Sequence, residues 1–147
     1  MTILLVVGAT ADAGEADVAM AIPGAEVVEL LPPAGAAPMV AARHAGEELD
    51  PAAVVTRARQ REGELLAAVA HGGLLAPLTL RYAVRDLAAE LQAPVVVAAP
   101  ARAGALNAAR LTVEAARGGG RAVAALVLTD WPDPPTRVQI DERALLH

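Results

Sequence analysis

Residues 2–16 constrain the fold more than any other stretch. Thr2-Ile3-Leu4-Leu5-Val6-Val7 is a continuous run of mostly branched apolar residues. Such a run is the pattern of a strand buried on both faces, central in a parallel sheet. Gly8-Ala9-Thr10-Ala11-Asp12-Ala13-Gly14 follows as a glycine-bounded loop, and a helical stretch opens near Glu15. Strand, glycine loop and helix in that order are the layout of a phosphate-binding loop. Such a loop carries Lys and then Thr or Ser after its second glycine. The ammonium meets the β- and γ-phosphates and the hydroxyl meets Mg²⁺. Here those two positions are Glu15 and Ala16. A carboxylate repels a triphosphate, and a methyl group cannot ligate a metal.

The same stretch directs attention to the basic residues. All twelve are arginine, so these 147 residues hold no lysine for a phosphate loop or a Schiff base. Cysteine is absent as well, which excludes disulfides, thiolate nucleophiles and cysteine metal sites. The net charge of −5, with one Trp, one Tyr and no Phe, argues against nucleic acid as a partner. The apolar stretches are short and broken by Pro, Gly or charge, so no membrane span is expected. No basic segment precedes the first apolar run, which reads as a strand rather than a leader. A cytoplasmic protein of one domain, residues 1–147, is expected.

Along the chain, strand and helix signals alternate. A helix is expected from Glu15 to Ile22, stopped by Pro23-Gly24, and a strand from Glu26 to Leu31. Pro38 to Ala45 reads as a helix closed by Gly46. Asp50-Pro51 is a cap followed by a first-turn proline, opening a helix to about Glu62. Leu65–Ala70 and Pro94–Ala99 read as strands, with a helix from Val84 to Leu91 between them. Ala105–Arg117 reads as a helix and Ala122–Leu128 as the fifth strand. Thr129 to Pro135 is a loop, and the last residues form a short strand or helix, with mobility expected at the terminal His147. This alternation implies an α/β fold: a mostly parallel sheet of five or more strands with helices on both faces. Ligands in such folds sit at the carboxyl ends of the strands. That edge carries Thr10, Asp12 and Glu15, then Pro32-Pro33, His71, Arg102 and Asp130-Trp131.

Three stretches carry a resemblance. They are Asp86-Leu87-Ala88-Ala89-Glu90-Leu91-Gln92-Ala93-Pro94-Val95-Val96-Val97, then Gly104-Ala105-Leu106-Asn107, then Leu111-Thr112-Val113-Glu114-Ala115. With the Trp131-Pro132-Asp133-Pro134-Pro135 turn and the five residues between Gly8 and Gly14, the chain resembles the dethiobiotin synthetase family, ATP-dependent enzymes of biotin synthesis. The resemblance implies a three-layer, P-loop-NTPase-like domain and a homodimer. It also marks departures. The phosphate-loop Lys-Thr is Glu15-Ala16. The family's Lys-Pro after the second strand is Leu31-Pro32. Its Glu-Gly-Ala-Gly-Gly after the third strand, whose Glu helps hold Mg²⁺, is Val69-Ala70-His71-Gly72-Gly73. Its Asn-His is Asn107-Ala108, and the Asn that reads adenine has no match near Thr129-Asp130. The chain also ends before the family's last strand and helices. Loss of the phosphate-loop Lys alone removes transition-state charge stabilisation worth several kcal/mol, and losing the metal hydroxyl, the metal Glu and the base pocket with it is hard to compensate.

The candidate catalytic residues are therefore Glu15, His71 and Asp12. Glu15 suits a helix start through the macrodipole, and it also fills the vacated phosphate position as an acid or base. His71, between a strand end and two glycines, is the general acid/base candidate, with a solvent-facing loop histidine as the alternative. Thr10, Arg102, Asn107, Asp130 and Trp131 are the candidate substrate-binding residues. Arg102 offers a fork for a ligand carboxylate. Asn107, in the family a diamino acid contact across the dimer interface, equally suits a turn at its helix start. No cofactor and no metal site are expected.

Two functions follow as expectations. In the first, the chain is an ATP-independent homologue that binds a small organic molecule and transforms it by acid/base chemistry, as a cofactor-free isomerase, lyase or cyclase. In the second, it is a non-catalytic pseudoenzyme that binds or regulates a protein partner. Residual ATP-dependent synthetase activity ranks behind both.

Overall fold

The computed structural model describes residues 1–146; His147 lies outside the described residues. Five parallel strands form one sheet in the order β2-β3-β1-β6-β7. They are β1 (Thr2–Gly8), β2 (Glu26–Leu31), β3 (Leu65–Ala70), β6 (Val95–Pro100) and β7 (Val123–Thr129). The helices are α1 (Glu15–Met20), α2 (Pro38–His44), α3 (Pro51–Arg59), α4 (Val84–Glu90), α5 (Ala105–Gly118) and α6 (Arg137–Ala144). A small antiparallel hairpin, β4 (Pro77–Thr79) and β5 (Tyr82–Ala83), lies outside the main sheet.

β1 is central, as its unbroken apolar run requires: Leu5, Val6 and Val7 are fully buried between β3 and β6. The two-residue period of the strands divides the core in two. On one face Leu5, Val7, Leu66, Ala68, Val95 and Val97 pack against Val54 and Val55 of α3, Val84 and Leu87 of α4, and Ala116 of α5. On the other, Val6, Val69, Val96 and Ala98 pack against Val18 and Ala19 of α1. Helices thus flank both faces, but unequally. α1 has only six residues, and beside it the second face of β7 is open: Ala125 is exposed and Val127 only half-buried.

Local chemistry accounts for most of the element ends. The Asp50 carboxylate accepts from the Ala52 amide at 3.0 Å, with Pro51 in the first turn of α3. Thr136 and Gln139 form a reciprocal capping box on α6. Two helices stop earlier than the sequence suggests. α1 ends at Met20, and Ile22 is held by a tighter bond from its amide to the Ala19 carbonyl. α3 ends at Arg59, with Gln60 as its cap. The hairpin carries no sequence signal of alternation because its strands have only three and two residues.

Candidate functional site

The chain leaves β1 for β2, returns to β3, and then crosses to β6 on the far side of β1. That reversal opens a crevice at the carboxyl edge of the sheet. Its volume is about 570 Å³. The walls are Asp12 and Glu15 from the glycine loop, residues 32–37 after β2, and His71 and Gly72 after β3.

Glu15 is the centre of the site. It is the one buried charged residue among the described residues, with 5 % of its surface exposed. Its side chain folds back onto the loop and lies over Gly8. A Cβ at position 8 would meet the Glu15 carboxyl carbon at 2.8 Å and the Thr10 carbonyl oxygen at 2.8 Å. Only glycine leaves room there for the carboxylate. Asp17 joins Glu15 in the first turn of α1, where negative charge suits the helix dipole.

A buried carboxylate needs a partner, and His71 supplies it: Nδ1 stands 3.6 Å from Glu15 Oε2. The imidazole is fixed from its backbone, because the His71 amide donates to the Leu31 carbonyl at 3.1 Å. Gly72 and Gly73, both at positive φ, then carry the chain sharply away. The other ring nitrogen, Nε2, faces Glu29 Oε1 at 3.6 Å. Both contacts are at ion-pair rather than hydrogen-bond distance, the loose geometry usual for acid/base groups before a ligand closes a site. His71 is thus a half-buried side chain between two carboxylates rather than a solvated loop histidine.

Asp12 sits at the loop tip, exposed and at φ 55°, on the rim of the same crevice. Of the eight residues singled out in the sequence, Glu15, His71 and Asp12 come together here. The other five stand elsewhere. Arg102 braces the outside of the glycine loop, donating from Nη2 to the Ala11 carbonyl at 3.1 Å and to Thr10 Oγ1 at 3.4 Å. Thr10 Oγ1 donates to Ala11 O at 3.1 Å. Asn107 is exposed in the first turn of α5 and does not line the crevice. Asp130, at φ 52°, borders a separate groove between α1 and β7. Trp131 packs near the start of α5 under α6, its ring 5.0 Å from the Arg143 guanidinium.

Two contributors were not singled out from the sequence. Thr129 Oγ1 donates to the Ala13 carbonyl at 2.8 Å and clamps the loop from β7; its signal was its place at the end of the fifth strand. Glu29 is an exposed residue of β2, which the structure places at the edge of the sheet, and only its spatial relation to His71 marks it.

A glycine loop between a central parallel strand and a helix, at the reversal point of a five-stranded sheet, defines the class as a P-loop-like α/β protein. The sequence profile of the AAA domain family matches residues 25–146. The chain belongs to that family, and within it is a homologue of the dethiobiotin synthetases. It is 40 % identical over 133 residues to the ATP-dependent dethiobiotin synthetase of Saccharopolyspora erythraea, covering 88 % of this chain and 59 % of that protein. With the enzyme of the same name from Anaeromyxobacter dehalogenans (strain 2CP-1) it shares 48 % identity over 94 residues, 63 % of this chain and 42 % of that one. With that of Mycobacterium tuberculosis (strain H37Ra) it shares 36 % over 114 residues, 75 % and 50 % of the two chains. The chain spans about half the length of these relatives. The family profile begins at residue 25, beyond β1, the glycine loop and α1.

Proposed function

We propose that this chain is an ATP-independent relative of the dethiobiotin synthetases that binds a small organic molecule in the crevice and transforms it by proton transfer. The observation that carries the reading is the Glu15 carboxylate, buried on the floor of the glycine loop and paired with His71. The residues present do not fit a magnesium triphosphate. The floor of the loop is occupied by a negative charge, Ala16 offers no hydroxyl, and no arginine lines the crevice among the described residues. Leu31, at the position of the family's Lys-Pro lysine, is buried in the core and is not among the residues lining the crevice. What remains is a carboxylate and an imidazole within reach of one another beside a small cavity. That is the equipment of a cofactor-free isomerase, lyase or cyclase, with Glu15 as base, His71 as its proton partner and Asp12 orienting substrate at the rim.

Calorimetric titration with Mg-ATP, beside an active dethiobiotin synthetase, tests the reading. No heat at millimolar nucleotide, with the control binding, supports it. Binding by the unaltered chain overturns it.

A second reading, a non-catalytic protein binder, draws on the groove of about 600 Å³ between α1 and β7. Leu4, Val18, Ile22, Val96 and Val127 give it an apolar lining beside β7, an edge strand of the sheet among the described residues. A second copy of the chain is the occupant expected there, since a free strand edge pairs readily with a strand. Sedimentation as a stable monomer at micromolar concentration would sink that association.

A further inference from the structure

Glu15, His71 and Glu29 stand in a row. The steps are 3.6 Å from Glu15 Oε2 to His71 Nδ1 and 3.6 Å from His71 Nε2 to Glu29 Oε1. Side-chain exposure rises along the row, from 6 % at Glu15 through 15 % at His71 to 46 % at Glu29. The row therefore leads from the floor of the crevice to bulk water. An imidazole can take a proton on one ring nitrogen and release one from the other, and here each nitrogen faces its own carboxylate.

The backbone favours the same arrangement. β2 carries a bulge between Glu29 and Leu31, where its register against β3 shifts by one residue. Leu31 is also the residue whose carbonyl receives the His71 amide. The irregularity thus lies between the two β2 groups that hold His71, one by its backbone and one by its ring. Bulges at such places re-aim side chains.

We propose that Glu29 is a positioning residue that ends a proton path running from Glu15 through His71 to solvent. The path rests on the acid/base reading of the crevice. The path starts with the ring hydrogen on Nε2, toward Glu29, so that Nδ1 is free to accept, and a proton that Glu15 has taken from a substrate then stands as an O–H pointing at Nδ1. The Glu15 O–H bond breaks as an Nδ1–H bond forms. The Nε2–H bond breaks as an O–H bond forms on Glu29, and water takes that proton. The ring is left with its hydrogen on Nδ1, facing the Glu15 anion. Running the same steps backward returns a proton to the crevice and restores the first tautomer. A reaction that removes a proton and later returns one, as an isomerisation does, closes this cycle without any added reagent.

The path is testable without a substrate. In the full chain labelled with ¹⁵N-histidine, the exchange of the His71 ring N–H with water is measured by NMR, with His71→Gln assigning the signal. Glu29→Gln is expected to slow that exchange by roughly a hundredfold, the lower end of what general acid/base catalysis contributes, and Glu29→Asp to keep most of it. In Glu29→Ala, added acetate restores exchange in proportion to its concentration, which a purely structural role would not produce. Exchange unchanged in Glu29→Gln, or no response to acetate in Glu29→Ala, overturns the proposal. Either failure would leave the acid/base reading to its own nucleotide test. Nucleotide binding by the unaltered chain would remove that reading without altering the exchange rates.

Discussion

The carboxyl group of Glu15 rests on Gly8, so closely that a β-carbon at position 8 would lie 2.8 Å from the Glu15 carboxyl carbon. A loop built to bring backbone close to an anion has an anion of its own chain placed on it. Gly8→Ala must therefore push Glu15 off its seat or shift the loop. A loss of about 1–3 kcal/mol is expected, the usual cost of overpacking, read as a lower urea midpoint. Glu15→Ala in the same chain should recover the part due to the carboxylate and leave the part due to the Thr10 carbonyl oxygen, which would stand at the same 2.8 Å. If Gly8→Ala costs the same with and without Glu15, the two residues are not coupled and this account of the loop is wrong.

The same contact predicts a gain of binding. Glu15→Lys with Ala16→Thr removes the resident charge and supplies the ammonium and hydroxyl that a phosphate loop uses. The double variant should bind Mg-ATP in the millimolar range, about 4 kcal/mol of binding free energy, while the parent chain binds none. The remaining departures around the crevice keep the gain small. Calorimetry on both proteins reads the result, and equal heats from the two would show that position 15 does not control access.

Thr129 and Arg102 hold the loop from outside, at the Ala13 and Ala11 carbonyls. They differ in setting: Thr129 is half-buried, Arg102 exposed. Thr129→Val keeps the shape of the side chain and deletes the donor. It should cost about 1 kcal/mol, the net value of one hydrogen bond, and raise amide exchange in residues 9–14. Protection left unchanged there would mean that the clamp does not order the loop.

The fold was legible because most main-sheet strands are dense apolar runs bounded by Gly, Pro or charge, and a run such as β1, which needs burial on both faces, leaves few topologies. β1 had to be central, and it is. The hairpin of β4 and β5 was not legible, since five strand residues carry no period. The site was legible in part. Glu15 and His71 announced themselves by standing at the ends of β1 and β3, which the order of the sheet makes neighbours. Arg102 was placed at the right edge, but its guanidinium serves the Ala11 carbonyl and the Thr10 hydroxyl of the loop, a use that no sequence pattern distinguishes from ligand binding. Glu29 was hidden because a charged residue on an edge strand reads as solvated. Its meaning arises only from the bulge that follows it and the ring that faces it.

Away from the crevice, Tyr82 gives the chain an unusually clean alkaline titration. Burial pushes its phenol well above the ordinary tyrosine value. The hydrogen bond to Glu90 Oε2 at 2.7 Å, the charge of Glu90 and that of Asp86 push it further, against a small opposing effect of Arg59. The chain has no lysine or cysteine and one tyrosine, so no other side chain ordinarily titrates near pH 10. In the unfolded chain the phenol loses its proton at about pH 10, while in the folded chain it keeps it. The folded state then binds more protons than the unfolded one, and stability falls as pH rises. The contribution is fully present below about pH 10 and drains away above it. Tyr82→Phe removes the titrating group, so the variant should be less stable at neutral pH, where the Glu90 contact is lost, yet lose less stability between neutral and strongly alkaline solution. Urea midpoints at a series of pH values for both proteins measure this. Parallel decline of the two above pH 10 would show that Tyr82 is not the group responsible.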